Sequence, residues 1–355
     1  MVVVHLVAPS WTTTLASGWL TREGRPGCTW RMDFGLQLAG MPTRVLIDAA
    51  RRAEDLGFGA VYVPDHFANE PPGSGRLDDQ VPMWEALSIL GAIAASTSRV
   101  RLGGHVLCNL FRHPALTAQA IATLDQVSNG RAVLGIGAGW TKNEFDMTGV
   151  PFPDIKPRLR MLDESVRVIK SLWTENRTSF SGEFYQLRDA FLTAKPVQRP
   201  HPPVLFGGSG KGLLRIAARE ADVVNVIVDT GRAGTVLPAE IAKLSEDGFR
   251  EKLDFVRREA RTHGREPSLS TTIFVLAITD GAAEAEQMAQ AVAAGFGLKG
   301  DAVRRMPIAL IGTSDECAEE LRRREREWGV SHVIVSAASG MPVVDRFATE
   351  VLPKI

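Results

Sequence analysis

Asp65-His66 stands directly behind a run of strand-forming residues, Ala60-Val61-Tyr62-Val63-Pro64. A continuously apolar run of that kind reads as a strand buried on both faces, as in a parallel sheet. Ligands collect where the strands of such sheets end on their carboxyl side, and His66 falls there. Imidazole has the ordinary pKa nearest neutrality, so His66 could take or give a proton during turnover. It could equally be a histidine hydrogen-bonded within its loop, and His105 and His113 admit the same two readings. The seven histidines show no HExxH or other metal spacing, which predicts no metal site.

Two glycine runs could meet a flat ligand or an anion. Gly135-Ile136-Gly137-Ala138-Gly139 departs from the dinucleotide fingerprint G-x-G-x-x-G: its third glycine comes one residue early, and Trp140-Thr141-Lys142-Asn143-Glu144 follows. It reads as backbone kept clear for a ligand, or as a tight strand-to-loop turn with none. Gly207-Gly208-Ser209-Gly210-Lys211-Gly212 resembles a P-loop only superficially. Leu205 stands where the first glycine belongs, and Gly212 replaces the magnesium-binding Ser or Thr. What remains is a glycine turn feeding a helix N-terminus, suited to a phosphate, with Ser209 as phosphate donor or as helix cap.

The elements that must position these residues alternate along the chain. Val100–Leu107 and Ala132–Ile136 flank an amphipathic helix opened by Pro114, the order of a right-handed crossover unit. The first strand ends in Gly104-His105 and Cys108-Asn109, the second in Gly137-Ala138-Gly139-Trp140. Further strands are expected at Phe34–Leu38, Ala60–Pro64, Val204–Phe206, Asp222–Val228, Thr271–Ile278 and His332–Ser336, with helical patterns between them. Among those helices, one is expected at about 239–263 and one from Arg158 to Trp173. A hairpin at Thr178–Leu187, turning at Ser181-Gly182, interrupts the alternation. Eight β-then-α units predict an α/β fold, a (β/α)8 TIM barrel with insertions, with a doubly wound open sheet as the alternative.

Composition narrows the partners. In 355 residues, 41 Lys and Arg balance 41 Asp and Glu, which argues against nucleic acid or an anionic membrane surface. No apolar run approaches the roughly 18 residues a membrane span requires. Cys28, Cys108 and Cys317 are too few and too far apart for a disulfide framework, so a reducing cytoplasm is expected. Residues 1–31 lack helical period and a basic signal region, and Met32 immediately precedes the first strand. They read as a disordered or non-native extension to one domain spanning 32–355.

Taken together, VYVPDHF (61–67), the stretch 98–140, FSGEFYQL (180–187), KPVQRPHPPVLFGGSG (195–210) and EADVVN (220–225) resemble the bacterial luciferase-like flavin or deazaflavin oxidoreductases. The likeness is to their coenzyme F420-dependent branch and extends from about Phe34 to Leu352. It implies a TIM barrel holding a flat tricyclic cofactor at the carboxyl ends of its strands. His66 would then be the catalytic proton donor or acceptor, with Asp65 beside it. A bulge after the third strand, at Gly104-His105-Val106, would support the ring, with His105–Val106 as a cis peptide. Asn109 would lie near the ring's pyrimidine edge. Gly137, Ala138, Gly139, Trp140, Gly207, Gly208, Ser209 and Gly210 would line the cofactor's side chain and phosphate, and Glu144 would border substrate or cofactor.

F420 carries carbon at the flavin N5 position, so it passes hydride and activates oxygen poorly. The resemblance therefore implies hydride transfer with a small organic substrate, in a homodimer. An FMN-dependent monooxygenase on the same barrel and a non-catalytic flavin-binding barrel are the alternatives. An aldolase-type barrel would want a Schiff-base lysine at a strand end, and Lys142, Lys195 and Lys211 all fall in loops or helix starts. Substrate choice is expected to lie in loops 69–82, 142–157 and 178–193.

Overall fold

The computed structural model describes residues 32–71, 74–227, 245–296, 298 and 300–355. The extension expected at 1–31 therefore lies outside the described residues, as do the end of the strand expected to reach Val228 and the start of the helix expected at 239.

Apolar alternation and capping build the elements. β1 (Asp33–Gln37) leads to α1 (Thr43–Asp55), which buries Leu46, Ala49, Ala50 and Ala53 on one stripe at helical spacing. All four residues of β2 (Ala60–Val63) are buried, as a strand covered on both faces requires. The side chain of Glu85 accepts the Leu87 and Ser88 N–H groups to open α2 (Ala86–Ser96). β3 (Arg101–Gly104) and β4 (Leu107–Cys108) are one strand broken at His105-Val106, and the peptide between those two residues is cis, as expected. α3 (Pro114–Val127) starts with proline in its first turn, and His113 Nδ1 accepts the Ala115 N–H, so His113 serves as a cap.

The remaining elements are β5 (Ala132–Gly137), α4 (Lys142–Thr148), α5 (Ile155–Thr174), the hairpin β6 (Thr178–Ser181) and β7 (Gln186–Ala190), β8 (Val204–Gly208), α6 (Lys211–Glu220) and β9 (Val223–Val226). α7 (Glu246–Thr262), β10 (Ser268–Ile273), β11 (Val275–Thr279), α8 (Ala282–Phe296), α9 (Gly300–Arg304), β12 (Ala309–Thr313), α10 (Ser314–Arg323), β13 (Val330–Ser336) and α11 (Met341–Arg346) complete them. Strands pair in the order β3-β2-β1-β13-β10-β9-β8-β5, every pairing parallel, and β3 pairs with β5 to close the ring. The result is the eight-stranded (β/α)8 barrel that the alternation predicts. No helix among the described residues is long and apolar enough to cross a membrane.

Two expectations need correction. The strand expected at Thr271–Ile278 is two strands: β10 stays in the barrel, while β11 leaves it and pairs in parallel with β12, which sequence patterning did not signal. Leu276 and Ile278 face the main core and Ala277 a second cluster with Ala289, Met306 and Ile311, so both faces of β11 are apolar and no pattern marks the break. The segment 142–157, expected as a loop, contains the one-turn-plus helix α4, and α5 begins at Ile155 rather than Arg158.

Gly135 has no room for a side chain: a Cβ there would stand 1.8 Å from the Gly104 carbonyl oxygen at the strand break. Because that obstacle is backbone, Gly135→Ala should destabilise the fold by about 3 kcal/mol, at the upper end of overpacking costs. Denaturant unfolding followed by circular dichroism would measure it; an unchanged midpoint would contradict the tight closure between β3 and β5.

Candidate active site

The chain leaves β2 through Asp65-His66-Phe67, and two carboxylates, its own Asp65 and the distant Glu144, fasten this corner. Asp65 accepts the Cys108 N–H at 2.8 Å and a two-pronged ion pair from Arg112 at 2.6 and 2.8 Å. Arg112 also reaches Glu85 at 2.6 Å, so the loop after β2, the end of β4 and the start of α2 share one ionic knot. Burial alone would raise the Glu85 carboxyl, but hydrogen bonds from Ser88, Arg112 and Leu87 outweigh it and hold the group at about 2. With its oxygens so occupied, Asp65 ties the corner together.

Glu144, on the first turn of α4, is buried. Its Oε1 accepts the Phe67 and Ala68 N–H groups at 2.5 and 3.1 Å, and its Oε2 lies 2.8 Å from His66 Nδ1. The His66 side chain is 25% exposed, and its ring meets Trp140 edge-on with centroids 5.5 Å apart. Phe67 is 52% exposed and packs on Phe111, which packs on Phe145. His66 thus stands in an aromatic wall, partly open to solvent.

At the strand break Val106 turns its isopropyl group toward β5 and β8. A Cβ on Gly137 or Gly207 would come within 2.8 Å of it. The clearing that the sequence suggested for a ligand is filled first by this chain's own Val106. Behind it runs a buried polar chain. His105 Nε2 lies 3.2 Å from Asn225 Oδ1, to which Thr272 Oγ1 donates at 3.1 Å. Asn225 Nδ2 donates to Ser270 Oγ at 2.7 Å, and Ser270 meets His332 Nδ1 at 2.9 Å. Asn225 Oδ1 can only accept, so His105 carries its proton on Nε2. Burial depresses the His105 imidazole to about 4 and the His332 imidazole to about 3, so both are neutral.

The other expected residues divide. Asn109 is buried and donates its backbone N–H to the Gly137 carbonyl at 3.0 Å. Its Nδ2, like His105 Nδ1, is buried with no partner among the described residues. Ala138 is buried, and Arg158 donates to the Gly139 carbonyl at 2.6 Å. Gly207 and Gly208 end β8. The N-cap of α6 is Gly210 and no side chain caps it, so Ser209 is not a cap. His66, Glu144, Trp140 and Phe67 thus form one group; the bulge with Asn109 forms a second. Sequence reasoning missed Arg112, Asn225 and Thr272, none of which stands in a recognisable spacing with its partner.

A family model described as luciferase-like monooxygenase matches residues 27–332. The chain is similar to the F420-dependent glucose-6-phosphate dehydrogenase of Kineococcus radiotolerans, 40% identical over 212 residues, 58% of this chain and 60% of that protein. It is similar also to the FMNH(2)-dependent dimethylsulfone monooxygenase of Pseudomonas putida, 27% identical over 291 residues, 82% of this chain and 69% of that protein. The match spans only about half, 52%, of the corresponding dehydrogenase of Amycolatopsis mediterranei. Among solved structures, an F420-dependent secondary alcohol dehydrogenase in complex with an F420-acetone adduct shares the fold, with TM-score 0.70, 24% identity, and coverage of 91% of this chain and 98% of that one.

The buried neutral histidines make stability depend on pH in a stated direction. His105 and His332 sit near 4 and 3 folded against an ordinary 6.5, so as pH falls below 6.5 the unfolded chain takes up protons first. Folding free energy should weaken as pH falls from 6.5 toward 4, by about 3 kcal/mol for His105 alone at pH 4, with most of that loss above about pH 5, where carboxylates do not yet contribute. Denaturant unfolding at a series of pH values measures this, and His332→Asn should make the fall shallower.

Proposed function

We propose that this enzyme, which belongs to the luciferase-like monooxygenase family, passes hydride between the deazaflavin F420 and a small organic substrate, with His66 moving the accompanying proton. The observation that carries the reading is the pairing of His66 with a buried carboxylate at the carboxyl end of β2, its ring partly exposed against Trp140. An imidazole so held can act as general acid or base. The similarity to F420-dependent dehydrogenases at about 40% identity supports the choice of cofactor.

The residues on the carboxyl face fit a flat, heteroatom-rich cofactor. Asn109 Nδ2 and His105 Nδ1, buried without a partner among the described residues, offer a donor and an acceptor respectively. Val106, half-buried between two glycines, offers an apolar floor for a ring. The open backbone at Gly210 and the N-terminus of α6 would take a phosphate. A deazaflavin held there would supply hydride chemistry. The chain's own part is to orient the substrate, exclude water and handle the proton. Around His66 the wall is Trp140 and Phe67, and the nearby cation Arg112 is already paired with Asp65 and Glu85. That setting favours an uncharged substrate group at the reacting end.

A second reading, an FMN-dependent monooxygenase, is favoured by the dimethylsulfone monooxygenase, which aligns with 82% of the chain. Titration of the purified protein with F420 and with FMN, followed by absorbance and fluorescence, separates the two: F420 should bind, and binding of FMN alone would overturn the first reading. With a donor that reduces F420, starting from glucose 6-phosphate, His66→Ala should lower kcat by about 10²–10⁴-fold. Unchanged turnover would remove His66 from the chemistry.

A further inference from the structure

We propose that Glu144 is a positioning residue that fixes which nitrogen of the His66 ring carries the proton, leaving Nε2 as the bare acceptor for a substrate proton. The inference rests on His66 being the proton-transfer group. Glu144 is 1% exposed, and its two oxygens have different duties. Oε1 receives the backbone N–H groups of Phe67 and Ala68, the two residues after His66, at 2.5 and 3.1 Å. Oε2 faces His66 Nδ1 at 2.8 Å. A carboxylate only accepts, so the neutral imidazole must present its N–H on Nδ1, and the lone pair falls on Nε2 at the other edge of the ring.

The carboxylate cannot turn away without releasing both backbone groups. It is itself held by α4: Phe145, the next residue, packs against Phe111 at 5.1 Å and Phe152 at 4.4 Å, and Thr148 Oγ1 donates to the Glu144 carbonyl at 2.7 Å. Trp140 lies against the imidazole from the side. One buried group therefore fixes the place of His66, through the backbone that follows it, and its tautomer, through Nδ1. In the proton step a substrate O–H bond breaks, its electron pair stays on oxygen, and an Nε2–H bond forms. The imidazolium so made keeps its Nδ1–H bond to Glu144.

The same geometry says what an amide would do. In Glu144→Gln the two backbone N–H groups still require the single oxygen, so the amide NH2 must take the other position and donate to Nδ1. The loop keeps its hydrogen bonds, and the imidazole is forced to the opposite tautomer, with its proton on Nε2. Nitrogen-15 NMR of the histidine-labelled full chain without cofactor at pH 8 reads this directly, the His66 signals being those that vanish in His66→Gln. Nδ1–H is expected in the unaltered chain and Nε2–H in Glu144→Gln. An Nε2–H tautomer in the unaltered chain, or Nδ1–H persisting in the variant, overturns the proposal; if the variant does not fold, the unaltered chain alone decides. With F420 and a donor that reduces it, kcat should fall by about 10³–10⁴-fold in Glu144→Gln, as when the orienting carboxylate of a catalytic histidine is replaced by an amide. Glu144→Asp, which keeps a carboxylate, should recover part of that loss, and equal rates in all three chains would overturn the role. The tautomers test Glu144 by themselves, whereas failure to bind F420 would overturn only the function on which the role rests.

Discussion

The carboxyl end of this barrel depends on where one isopropyl group goes. The third strand breaks between Gly104 and Leu107, and Val106 turns into the space that β5 and β8 would otherwise fill with side chains of their own. Gly137 and Gly207 are the residues that yield, and Gly135 yields to the Gly104 carbonyl below them. Interiors are packed to the density of organic crystals, so an inserted group must be matched by omissions around it. Three glycines on two neighbouring strands are those omissions. Asn109 and the glycine turn after β5 are placed by the same break, because the Asn109 N–H and the Gly137 carbonyl join the two strand ends.

Elsewhere in the barrel, loops are held by carboxylates that accept backbone N–H groups from distant segments. Glu54 takes Arg99 and Val100, Asp125 takes Val197 and Gln198, and Glu164 takes Glu183, Phe184 and Tyr185. Burial alone would raise the Glu54 and Glu164 carboxyls, yet both are lowered because the N–H groups favour the charged form more strongly. Glu144 belongs to this set by geometry and differs in one respect: one of its oxygens faces an imidazole instead of another amide.

Much of this was legible in the residues, and the exceptions have physical causes. The eight barrel strands follow from apolar runs separated by helical stripes, and His66 follows from its place after the second of them. Thr313 and Glu316 form a capping box at the start of α10, a pairing that local spacing can signal. The β10–β11 break was invisible because Phe274 and its neighbours are apolar on both sides of it. The partners of Asp65 and Glu144 were not legible because a carboxylate near a ligand face looks the same in sequence whatever it is bonded to; here each accepts a backbone N–H group from another segment. Arg112 and Asn225 meet partners 47 and 120 residues away, and no local spacing records such a pairing.

The polar chain inside the barrel also constrains how the strands can assemble. Tyr62, His105, Asn225, Ser270, Thr272 and His332 point inward from five strand segments, among Ala60, Val133, Leu205, Val223 and Ile334. Side chains alternate faces along a strand, so slipping β10 by a single residue would swing Ser270 and Thr272 out toward the aliphatic helix layer and break their bonds to Asn225, His105 and His332. Aliphatic layers alone would tolerate such a slip far better, since one methyl group packs much like another. Here each inward polar group recognises a particular neighbour, and the barrel's interior serves as a key that accepts one alignment of its staves.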